Sequence, residues 1–118
     1  MTENRTKSGT KTGFIYDDVC LEHKTTPGHP ERPERLVEIA KRLKAEGIYS
    51  ELLKLNPAPA GLDWIETVHS PDYIERARRS CENNAGYLDS MDVPISARSY
   101  EVAVMAAGGM LAAVDAVM

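Results

Sequence analysis

The chain has 118 residues, 42% of them apolar and 27% charged, the make-up of one folded domain and not of a disordered tract. Fourteen Lys and Arg against eighteen Asp and Glu leave a net charge of −4, so no basic field argues for nucleic acid or an anionic membrane as a partner. With one Phe, one Trp and five Tyr, any core must be built from Leu, Ile, Val, Ala and Met.

Residues 1–11 are polar and lack the apolar stretch of a secretory signal; they are expected to form a flexible tail. Gly13 to Tyr16 reads as a short strand ended by Asp17-Asp18, and Val19 to His29 as irregular chain with a turn at Pro27-Gly28. Pro30 and Pro33 cost little in a first helical turn, whose N–H groups have no acceptor. Leu36, Ile39, Ala40 and Leu43 then recur at helical spacing, which predicts a helix from about Pro30 to Glu46 with Gly47 as its stop. Ile48 to Leu53 reads as a short helical turn, Lys54-Leu55-Asn56 as a strand, and Asp63 as the cap of a short helix through Val68. Ser70-Pro71 opens a helix to about Cys81, Asn83 to Gly86 is a turn, and Tyr87 to Ile95 is an extended loop. Ser96 or Ser99 caps the last helix.

That last helix differs from the others. Val102 to Val114 carries no charge and has no polar face, and Ala106-Ala107-Gly108-Gly109 invites close backbone approach. The run is shorter than the ~20 residues that span a bilayer. A helix apolar all round must be buried all round, and two glycines cost ~1 kcal/mol each against alanine unless packing compensates. Two one-faced helices and two thin strands cannot surround it. The expectation is the N-terminal portion of a larger α/β domain, incomplete at its C-terminus, or a chain that associates through Val102 to Val114.

Chemistry is sparse on spacing alone. Cys20 and Cys81 fit no CxxC pattern and read as free thiols of a cytoplasmic protein. Cys20-x2-His23-x5-His29 offers three donors where structural zinc wants four in tight pairs. Glu66-x2-His69 is half of a di-metal motif whose other half is absent. Asp89 and Asp92 lie three apart in a loop, where aspartates often serve local backbone. His29, before Pro30, is expected to bond nearby backbone. The Arg76, Arg78, Arg79 group is balanced by Glu75 and Glu82. No phosphate-binding, dinucleotide or HExxH pattern is present, and no catalytic residue is identified.

In order, however, the segments Thr12-Gly13-Phe14-Ile15-Tyr16-Asp17, His23, Gly28-His29-Pro30-Glu31-Arg32-Pro33-Glu34-Arg35-Leu36, Val68-His69-Ser70-Pro71-Asp72-Tyr73-Ile74, Asp89 to Ser96, Ser99-Tyr100-Glu101 and Ala106-Ala107-Gly108-Gly109 resemble the opening of the histone deacetylase family. The branch is that of class II-type and bacterial histone deacetylase-like amidohydrolases and acetylpolyamine amidohydrolases. The resemblance spans Thr12 to Met118. It implies an arginase-like fold, a parallel sheet with helices on both faces, and hydrolysis of acetyl amides on lysine or polyamines by a single zinc. It also implies that two aspartates and a histidine hold that metal and that a tandem histidine pair moves protons. None of these ligands is found here: the sequence has no His-His pair and no Asp-x-His segment. The resemblance places His29 and Pro30 in the first loop of the substrate mouth and Asp92 at its rim, as an acceptor for substrate amides. It leaves this chain without a cofactor and assigns zinc to the full-length parent. Two rival readings stay open: a non-catalytic module that binds a partner or dimerises, and a small complete enzyme built on His23, His29, His69 and the Asp92 loop.

Overall fold

The computed structural model describes residues 11–118; the predicted tail, Lys11 apart, lies outside the described residues. Strand β1 (Gly13–Ile15) runs parallel to β2 (Leu53–Leu55), with Gly13 opposite Leu53 and Ile15 opposite Leu55. Parallel neighbours need a crossover, which α1 (Glu34–Ala45) supplies. Then follow α2 (Leu62–Ile65), α3 (Pro71–Glu82), an antiparallel pair β3 (Tyr87–Leu88) and β4 (Ser90–Pro94), and α4 (Ser99–Val117). This is the expected partial α/β architecture, a small parallel sheet with flanking helices.

Local chemistry sets the helix ends. α1 begins at Glu34, later than the apolar pattern suggested. Arg32 precedes Pro33, which disfavours helical backbone, and the Glu31 N–H donates to His29 Nδ1 instead. At the other end Gly47 has φ +77, the Ile48 N–H donates to Leu43 and the Gly47 N–H to Lys44, a Schellman motif. α3 is capped by Ser70, whose hydroxyl accepts the Tyr73 N–H at 3.1 Å, and ends in the same motif, with Asn84 at φ 53 taking the place of glycine.

Three expectations need correction. Asp63 does not cap α2: Gly61 occupies that position and Asp63 lies inside the first turn. Tyr87 to Ile95 is a hairpin and not a loop. Asp89 makes its turn at φ 68, a left-handed conformation that aspartate tolerates better than most residues. The residue before α4 is Arg98, which makes no side-chain cap; the Ser99 hydroxyl instead accepts the Ser96 N–H at 2.8 Å, reaching back as the third residue of a capping box does.

α4 meets the sheet through its glycines. The Ala60 N–H donates to the Val104 carbonyl at 3.1 Å. That carbonyl is reachable because Gly108, one turn on, has no side chain: a Cβ there would lie 1.5 Å from the Ala58 oxygen. Gly109 faces Ile15 and Pro57 more loosely, at 3.2 and 3.5 Å from where its Cβ would be. Val102 and Ser99 are the other buried residues of α4. Met110 is 66% and Val117 83% exposed, so the all-round burial that the composition demands is not met within the described residues. The helix is also long and apolar enough to cross a membrane by length and composition, longer than its uncharged run alone.

Gly108→Ala should therefore destabilise the fold by roughly 1–3 kcal/mol, the usual cost of overpacking. Gly109→Ala should be close to neutral, since a ~1 kcal/mol gain in helix propensity offsets a mild contact with Ile15. Urea unfolding of the two variants checks this; equal losses would contradict the nested loop.

Candidate rim site

The N-terminal end of α4 gathers polar residues that are far apart in sequence. Ser96 Oγ accepts the Lys24 N–H at 2.9 Å and donates to the Glu22 carbonyl at 3.2 Å. Ser99 Oγ lies 3.1 Å from Ser96 Oγ and 2.6 Å from His23 Nδ1. A hydroxyl has one proton and two lone pairs. One arrangement satisfies every contact: Ser96 donates to Glu22, Ser99 donates to Ser96, and His23 Nδ1–H donates to Ser99. His23 Nε2 then lies 3.7 Å from Glu31 Oε2, too far for a hydrogen bond, and Glu31 Oε1 accepts from Arg35 at 2.6 Å. This clamp fastens the turn Asp18–Glu22 and the chain beyond it to α4.

Beside the clamp lies an open cleft of ≈ 250 Å³, lined by His23, Glu31, Asp92, Pro94, Ser99 and Tyr100 among others. Pro94 and Ser99 are buried, whereas the Asp92 side chain is 96% exposed. His29 Nε2 lies 3.7 Å from Asp92 Oδ1, and the His29 side chain is only 17% exposed. The structure thus brings together His29 and Asp92, two of the three rim residues expected from the sequence, while Pro30 is exposed beside them. His29 also bonds nearby backbone as expected, accepting the Glu31 N–H at 3.0 Å.

The other candidates stay apart. His69 stacks on Tyr73, their ring centroids 5.4 Å apart. Asp17 caps the turn it begins, accepting the Val19 N–H at 2.8 Å. Asp89 pairs with Arg76 and not with backbone, because its left-handed turn aims it at α3. Cys20 and Cys81 are free, and burial, ahead of any charge, pushes both thiols up, so Cys81 sits at the cleft as a neutral thiol. The arginines of α3 are spent internally. Hydrogen bonds from Arg78, then Arg79, pull the Glu75 carboxyl down to about 2. Among the described residues no three His, Cys, Asp or Glu side chains form a group that can hold a metal, so Cys20-His23-His29 is not assembled as one.

Sequence reasoning missed the role of Ser96 and Ser99 in joining the N-terminal loop to α4. One or the other is expected as the cap of the last helix, but a cap pattern does not say which distant histidine the hydroxyl meets.

Comparison with known proteins bears on the family and the fold. Residues 29–118 match the family model described as the histone deacetylase domain. A probable deacetylase of Archaeoglobus fulgidus is 32% identical over 91% of this chain and 30% of that protein. A histone deacetylase-like amidohydrolase of Pseudomonas aeruginosa is 30% identical over 92% of this chain and 33% of that protein. The crystal structure of the HDA15 HD domain superposes with a TM-score of 0.73 at 25% identity, covering 83% of this chain and 29% of that one. The chain thus spans about a third of the length of the relatives it matches.

Ser99→Ala should cost about 1–3 kcal/mol, because it leaves the Ser96 N–H and the His23 Nδ1–H without their acceptor. Chemical denaturation measures this, and a variant as stable as the parent chain would contradict the clamp.

Proposed function

The chain belongs to the histone deacetylase family, and from that premise we propose that it is the N-terminal part of a zinc-dependent deacetylase and supplies one side of that enzyme's substrate mouth. The reaction is hydrolysis of the acetyl amide of acetyl-lysine or of an acetylpolyamine. The observation that carries the reading is that His23 and Glu31, on either side of His29, line one cleft with Asp92, while the His29 imidazole lies 3.7 Å from the Asp92 carboxylate. An exposed, ionised carboxylate at a rim accepts substrate amide N–H groups through charge-assisted hydrogen bonds. It also attracts a cationic polyamine.

Zinc does not fit the described residues, which hold no suitable donor group. The chain's own part is therefore binding and orientation, and no proton transfer is assigned to it. The apolar outer surface of α4, with Met110 and Val114 exposed, supports a place within a larger domain. So does the adjoining apolar hollow of ≈ 500 Å³ walled by Trp64, Val68, Tyr73 and Leu111. The free thiols suit a reducing compartment, and we place the parent enzyme in the cytoplasm.

The same apolar surface favours a second reading, a non-catalytic module that self-associates through Val102 to Val114. Sedimentation separates the two. A discrete, tight dimer supports the module, and weak, open-ended association supports a part of a larger domain.

The isolated 118-residue chain should not hydrolyse an acetyl-lysine amide, with or without added zinc; chelator-sensitive turnover would contradict the proposal. In a protein that joins this chain to the rest of the domain, Asp92→Asn should lower kcat/KM roughly tenfold. That is the loss of about 1.5 kcal/mol from a hydrogen bond to a charged acceptor.

A further inference from the structure

We propose that His29 is a positioning residue for the Asp92 carboxylate, holding its free side chain in one orientation toward the cleft. The inference rests on the reading of Asp92 as the rim acceptor. The backbone of Asp92 is already fixed. It lies on β4, its own N–H donates to Ser90 Oγ at 3.3 Å, and just beyond the strand the Ile95 N–H donates to the Gly86 carbonyl at 2.9 Å. Its side chain, 96% exposed, has no such support and would ordinarily sample several rotamers. The one ionisable partner recorded for it among the described residues is His29 Nε2, 3.7 Å away.

His29 is built to face that way. Its Nδ1 accepts the Glu31 N–H at 3.0 Å, so the proton of the neutral ring sits on Nε2. The nitrogen that looks at Asp92 is thus a donor in the neutral and in the protonated ring alike. The ring is largely buried, and Pro30 restricts the backbone of His29 to extended conformations. Exposed pairs of this kind add little to stability. Their effect is orientational: a carboxylate held in one rotamer meets a substrate amide without losing rotamer freedom on binding.

The test is by NMR on the 118-residue chain. Long-range nitrogen–proton couplings report the His29 tautomer, and three-bond couplings to the Asp92 carboxyl carbon report its first side-chain torsion. The expected result is an Nε2–H imidazole and one dominant Asp92 rotamer. His29→Phe should average the rotamers, and His29→Gln, which keeps a donor, should restore much of the order. Averaged Asp92 couplings in the parent chain, an Nδ1–H ring, or couplings unchanged in His29→Phe would overturn the inference. Addition of an acetyl-lysine dipeptide amide separates it from the reading beneath it. If Asp92 is ordered by His29 but Asp92→Asn binds the dipeptide as the parent chain does, the positioning stands and the rim reading fails.

Discussion

The structure depends on how closely one stretch of backbone can approach α4. The loop after β2 lies on the helix so tightly that Ala58 occupies the place of a side chain at Gly108, and Ala60 bonds a helix carbonyl. That contact fixes the distance between the small parallel sheet and the helix. Gly109, against Ile15 and Pro57, sets the neighbouring contact. The glycines are costly to the helix in isolation and are repaid by this approach.

With the middle of α4 seated on the sheet, its N-terminal end is placed relative to both loops of the cleft. The hairpin β3–β4 runs directly into it, carrying Asp92. The loop after β1 is tied to it through His23, Ser96 and Ser99, and that loop carries His29. The helix therefore acts as a spine, with packing along its length and recognition at one end. The outer face of α4 is apolar and open, with Met110, Val114 and Val117 exposed, whereas α1 and α3 carry exposed ion pairs.

Much of this was legible in the sequence. The Ser70-Pro71 pair, the Gly47 stop and the apolar spacing of α1 announced their elements because local chemistry decides them. The family was legible from ordered motifs, and the parallel strand pair follows from a β–α–β order. What stayed hidden was non-local. Nothing near Ser99 names His23 as its partner, and nothing near Asp89 says that a left-handed turn will hand it to Arg76 and leave Asp92 free. The hairpin was hidden because Asp89 and Pro94 look like loop residues, whereas one makes the turn and the other ends the strand. The apolar run of α4 demanded burial all round, and among the described residues that demand is met only on the glycine side.

The central claim, that the loop nested on Gly108 seats α4, is tested most directly by amide hydrogen exchange at Ala60 in the 118-residue chain. The account predicts that this loop amide is protected to the same degree as the interior amides of α4, because the Ala60–Val104 bond opens only when the helix leaves the sheet. Exchange at the rate of an unstructured loop, with α4 itself protected, would contradict it.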